Sequence, residues 1–152
     1  MNIIKTSLNL IILLFWTYSN SQNIDLYNSY QKKATYYSNI NIDSLLYYSK
    51  KNENLNDKCF SNLGKMNLAS AYYKLGNFKK SEEIAIEVLS NQKDENTSCN
   101  LDNKYNALAR LFWIKNSQRK FNEALKYLNQ KKELLESYSE RDDKYLVKQI
   151  LH

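Results

Sequence analysis

Residues 63–92 read LGKMNLASAYYKLGNFKKSEEIAIEVLSNQ. In the first half Leu68, Tyr72 and Leu75 recur at i, i+4 and i+7, the spacing that lines one face of an α-helix. In the second half Phe78, Ser81, Ala85, Val88 and Leu89 recur at i, i+3, i+7, i+10 and i+11, so a second helix follows. Gly76 lies between them, where a left-handed backbone would end the first helix. The small residues Ala69, Ser81 and Ala85 let two helices approach closely, and the large residues fill the spaces between them. The stretch therefore predicts a helical hairpin with a seam.

A second copy runs from Leu101 to Leu135. Leu101, Tyr105, Leu108, Ala109 and Phe112 form its first helix, and Phe121, Ala124, Leu125, Leu128 and Leu135 its second. Leu108-Ala109-Arg110-Leu111-Phe112 matches Leu68-Ala69-Ser70-Ala71-Tyr72 position for position. Asn116 to Lys120 replaces the Leu-Gly-Asn turn, and Phe112 to Phe121 is three residues longer than Tyr72 to Phe78, which predicts a first helix longer by almost one turn. A polar connector, Lys93 to Cys99, separates the two copies. Upstream, Ile24 to Ser38 and Ile42 to Lys51 form a weaker copy with Ala34 and Tyr37 in the places of Ala69 and Tyr72, and Asn52 to Asp57 form a polar turn. Downstream, Ser139 with Asp142 reads as a capping box for a terminal helix, Glu140 to His152, with Leu146 and Ile150 as its apolar stripe. The expectation is an all-α chain with hairpins at about 24–52, 60–92 and 100–136 and a terminal helix at 140–152. The absence of Pro and the presence of only 2 Gly agree with it, since all-β folds need such breakers at every turn.

Leu68-Ala69, Tyr72, Leu75-Gly76-Asn77, Phe78, Ser81 and Ala85 stand where the tetratricopeptide repeat (TPR) places its signature residues, and the unit resembles that repeat over its whole length. The resemblance implies a short right-handed solenoid of about three hairpins with first helices lining a concave face. It also implies a scaffold that binds a protein or peptide. Opposite the hairpin seam, the groove would take Gln31 and Thr35, then Met66, Ser70 and Tyr73, then Asn106, Arg110 and Trp113. Tyr73, Arg110 and Trp113 are of the residue types that dominate binding hot spots, while packing between repeats is the alternative role for Tyr73 and Trp113. Some members of the family clamp a chaperone's C-terminal carboxylate with Lys and Asn, but Met66 and Ser70 stand in those places, so that ligand is not expected. A leader followed by weak repeats with Asp43-Ser44-Leu45-Leu46-Tyr47-Tyr48 also resembles the sensor portion of membrane-bound bacterial TPR regulators or kinases. The alternative expectation is thus a truncated sensor region.

Residues 1–21 have the grammar of a signal peptide. Lys5 and the amino terminus supply positive charge, Leu8 to Trp16 an apolar core, and Ser19-Asn20-Ser21 a small-polar-small cleavage motif before Gln22. The apolar run is too short for a stable membrane span, and the first Cys, Cys59, stands too far on to carry a lipid anchor. The expected mature chain is 22–152, exported, and periplasmic or secreted. Export permits a disulfide. Cys59 and Cys99 fall just before or at the start of equivalent helices, so the pair is read either as a bridge between neighbouring hairpins or as two partly buried thiols.

The chain carries 22 Lys and Arg against 16 Asp and Glu, but the Lys residues occur as short pairs near acids, with no arginine-rich stripe. That pattern reads as solvated helix faces, and no nucleic-acid partner is expected. Catalysis is not expected either. The one His is the last residue, no glycine-rich phosphate loop occurs, and Glu82-Glu83 and Asp142-Asp143 point apart on a helix. With 2 Cys and 1 His at no ligand spacing, neither a metal nor another cofactor is expected.

Overall fold

Three of the helices begin where a short polar side chain caps them. Asn41 accepts from the Ser44 N–H (2.9 Å) and opens α2 (Ile42–Glu53). Asp57 accepts from the Phe60 N–H (3.0 Å) and opens α3 (Lys58–Lys74). Asn77 accepts from the Lys80 N–H (3.1 Å) and opens α4 (Phe78–Ser90). Each cap satisfies a donor that the helix leaves unpaired and contributes about 1 kcal/mol. The computed structural model describes residues 24–91 and 98–139, which also include α1 (24–37), α5 (Ser98–Ser117) and α6 (Phe121–Ser139). The expected leader, most of the connector and the expected terminal helix at 140–152 lie outside the described residues. The protein is all-helical, with no strand among the described residues.

α5 has 20 residues and α3 has 17, and the extra three lie at the C-terminal end. Both helices nevertheless close the same way. At α3 the Gly76 N–H donates to the Tyr73 carbonyl (3.0 Å) and the Asn77 N–H to the Tyr72 carbonyl (2.9 Å). At α5 the Arg119 N–H donates to the Asn116 carbonyl (3.0 Å) and the Lys120 N–H to the Lys115 carbonyl (2.9 Å). Both are Schellman closures, which need a left-handed residue, and Gly76 (φ 74°) and Arg119 (φ 58°) supply it. A side chain in that region is strained where glycine is not. Arg119→Gly is expected to raise the unfolding free energy by about 0.5–1 kcal/mol. A urea titration with no gain or a loss would contradict this reading of the turn.

Two boundaries differ from the sequence reading. α5 starts at Ser98, inside the expected Lys93–Cys99 connector, and so places Cys99 at the start of the helix, one of the two positions expected for it. α6 continues to Ser139, past the expected end at 136, while Asp142, the other half of the expected capping box, lies outside the described residues. Neither Gly nor Pro occurs across Ser98 to Leu101 or Glu136 to Ser139, so no breaker stops either helix there.

Consecutive helices pack on one another from α2 to α6, and α3 also packs on α5. The main core joins Met66, Leu68 and Ala69 of α3, Ile84, Ala85 and Val88 of α4, and Ala107 and Leu111 of α5. A smaller cluster joins Ala34 of α1, Leu45 of α2 and Ala71 of α3. At the seam of α3 and α4, fully buried Ser81 donates its hydroxyl to the Ala69 carbonyl (2.6 Å). Leu75, expected on the buried face, is 54% exposed because it is already the C-cap, where the chain turns away. Phe121, Leu125 and Leu128, also expected on an apolar face, are exposed on α6.

Lys115 is buried despite its charge. Its ammonium reaches Glu82 on α4 (2.6 Å) and Glu123 on α6 (3.1 Å), which pins α5 to both neighbours. The hydrogen bond to Glu82, aided by that to Glu123, raises Lys115 above the ordinary lysine value, and Lys115 in turn holds Glu123 below the ordinary carboxylate value. Stability from Glu123 is therefore present above its unfolded pKa, near 4.3, and is lost as pH falls through the lower folded value. The lysine's share persists until pH rises through its raised value. The melting-temperature gap between wild type and Glu123→Gln should be open at pH 7 and close below about pH 4. A gap that stays constant over that range would refute the pairing.

Candidate functional site: a polar cleft between three helices

The outward stripes of α3 and α5 share one spacing. On α3 it runs through Leu63, Met66, Asn67 and Ser70, and on α5 through Asn106, Ala109, Arg110 and Trp113, each i, i+3, i+4, i+7. With Gln31 of α1 these residues line a cleft of about 290 Å³. Six of the eight residues singled out from sequence meet there, namely Gln31, Met66, Ser70, Asn106, Arg110 and Trp113.

Met66 is only 5% exposed and belongs to the core, so it forms the floor and presents little surface. Thr35 and Tyr73 do not line the cleft. Thr35 is exposed on α1, where its carbonyl accepts from the Ser38 hydroxyl (2.8 Å) as the helix ends. Tyr73 lies between α3 and α5, with its hydroxyl hydrogen-bonded to the Ser117 hydroxyl (2.7 Å) and its ring centroid 5.0 Å from the Arg110 guanidinium carbon. Tyr73 thus ties α3 to α5. Leu63, Asn67 and Ala109 were missed, and completing the i, i+3, i+4, i+7 stripe on each helix would have found them.

Arg110 is the one charged residue in the lining. Its Nη2 donates to the Ser70 hydroxyl, which itself donates to the Met66 carbonyl (3.0 Å). Its Nε is buried with no hydrogen-bond partner among the described residues. Burial lowers Arg110 from the ordinary arginine value, against a smaller upward pull from Tyr73, and a guanidinium stays cationic in proteins. Across the cleft the Gln31 Oε1 accepts from the Asn67 amide (2.6 Å) and the Asn52 amide (3.3 Å), linking α1, α2 and α3 through one oxygen. Trp113 stands at the rim, 51% exposed, with its ring 5.0 Å from that of Phe112.

The cleft thus offers a cation, amides, a hydroxyl and a half-exposed indole. Its lining contains no carboxylate, imidazole or thiol to act as base or nucleophile. Among the described residues no group of three or more His, Cys, Asp or Glu is placed to hold a metal, and no helix is long and apolar enough to cross a membrane. Cys59 and Cys99 form a disulfide with their Cα atoms 6.0 Å apart, each being the second residue of its helix.

Compared with known proteins, the chain matches no family model, no curated protein and no solved structure.

Proposed function

We propose that the chain is a non-catalytic TPR-type scaffold, exported from the cytoplasm, that binds a protein or peptide segment in the cleft formed by α1, α3 and α5. The observation carrying this reading is the convergence of Arg110, Trp113, Asn106, Ser70 and Gln31 from three helices on one concavity. The volume, about 290 Å³, suits a few side chains of a docked segment better than a large cofactor. Support for a stacked, solenoid-like arrangement comes from the repeat spacing and from α3 packing on α5 as well as on α4. A wall of preformed helices loses little conformational entropy when a segment docks.

Crosslinking pull-down from the envelope fraction with the secreted chain tests the proposal. Arg110→Ala and Trp113→Ala should each lower partner recovery by about tenfold or more, as truncated hot-spot residues do. Circular dichroism would first confirm that both variants remain helical. Unchanged recovery in both would remove the cleft as the binding site.

A further inference from the structure

α3 and α5 are the two long walls of the cleft, and the ties between them are unevenly distributed. Toward the C-terminal ends, Arg110 bonds Ser70 and Tyr73 bonds Ser117. Toward the N-terminal ends stands the Cys59–Cys99 bridge. Eleven residues, about 16 Å of helix, separate Cys59 from Ser70 and Cys99 from Arg110. The cleft residues Leu63, Met66, Asn67, Asn106 and Ala109 fall within those intervals.

Apolar adhesion is uneven in the same sense. The main core takes residues of α3 from Met66 onward and of α5 from Ala107 onward. Before those points the buried residues are Asn62 and Gly64 on α3, with Leu101 and Asn103 on α5. Two are amides, and the Asn103 Oδ1 has no hydrogen-bond partner among the described residues, while its Nδ2 donates to the Cys99 sulfur (3.3 Å). Burial also pushes the neighbouring Asp102 carboxyl above the ordinary carboxylate range. Polar groups of this kind hold two helices together far less well than the aliphatic packing further down.

We infer that the Cys59–Cys99 bridge fixes the spacing of the cleft walls, so that binding in the cleft is under thiol control. The inference rests on the binding reading above for its functional consequence, but not for its structural one. A dithiol reductant would pass two electrons and two protons to the bridge, break the Sγ–Sγ bond to give two thiols, and itself close to a cyclic disulfide. The N-terminal halves of α3 and α5 then separate, while the lower halves stay joined through the core. An oxidising compartment keeps the lock shut and a reducing one leaves it open.

The test uses the full-length secreted chain in two arms. Hydrogen exchange is followed first, with and without dithiothreitol, and needs no ligand. Over exchange times too short for global unfolding to contribute, reduction should speed exchange about tenfold or more in 58–66 and 98–106 while α4 changes little, and Cys59→Ser with Cys99→Ser should reproduce the reduced pattern. No change on reduction, or an equal increase in every helix, overturns the inference, the latter because the bridge would then be a general staple. The second arm selects peptides from a random twelve-residue library on the oxidised protein and keeps those lost with Arg110→Ala. Reduction should weaken their Kd by about tenfold or more, with recovery on reoxidation by oxidised glutathione. Equal binding to oxidised and reduced protein overturns thiol control. Failure to recover any Arg110-dependent peptide overturns the binding reading instead, and the exchange arm then decides the lock by itself.

Discussion

Replacing Cys59 and Cys99 together by Ala should lower the unfolding free energy by about 4 kcal/mol. The bridge spans a sequence separation of 40 residues, and chain entropy for a loop of that length gives this value at 25 °C. The effect resides largely in the unfolded chain, which the bridge confines. For a helical domain of this size the melting temperature should fall by roughly 10–15 °C. Urea unfolding of the oxidised protein and the double variant, both without reductant, measures the difference. A loss below about 1 kcal/mol would mean that the bridge adds strain nearly equal to its entropic gain.

Gly64→Ala should destabilise the protein by about 2 kcal/mol, although Ala is the better helix former by about 1 kcal/mol. The reason is steric and local. A Cβ on Gly64 would stand 2.7 Å from the Asn52 carbonyl carbon and 2.8 Å from the Asn52 Cβ. The nearest obstacles are therefore largely backbone, and α2 must move away from α3. That movement would also disturb the amide of Asn52, which donates to Gln31 beside the cleft (3.3 Å). Stability and cleft binding should fall together. If Gly64→Ala raises stability, helix propensity has prevailed and the close crossing of α2 and α3 is not a constraint.

Much of this fold was legible because local signals agreed with one another. Asn77 and Gly76 mark the turn of the clearest hairpin, and the small residues Ala69, Ser81 and Ala85 are all fully buried at or near its seam. The cleft was partly legible for the same reason, since positions opposite a seam must face outward. What the sequence hid depends on the reach of long side chains. Tyr73 sits at a groove-facing register, yet its hydroxyl extends to Ser117 and spends the ring on packing. Lys115 carries a charge that reads as solvated surface, but Glu82 and Glu123 arrive from two other helices to bury it. Arg119 adopts the conformation of a glycine with no glycine in the sequence, because the two Schellman hydrogen bonds demand it. The roles of Tyr73 and Lys115 arise only after helices meet, so no window along the chain contains them.

Two of the ties between α3 and α5, Cys59 to Cys99 and Ser70 to Arg110, join residues the same 40 positions apart. Each links a point on one helix to its counterpart on the next, so neither pulls the helices lengthwise past one another. An alignment of α5 shifted by a single turn, about 5.4 Å, fits neither tie, so none keeps one while losing the other. The pair of helices therefore has one detent, like a latch with a single notch.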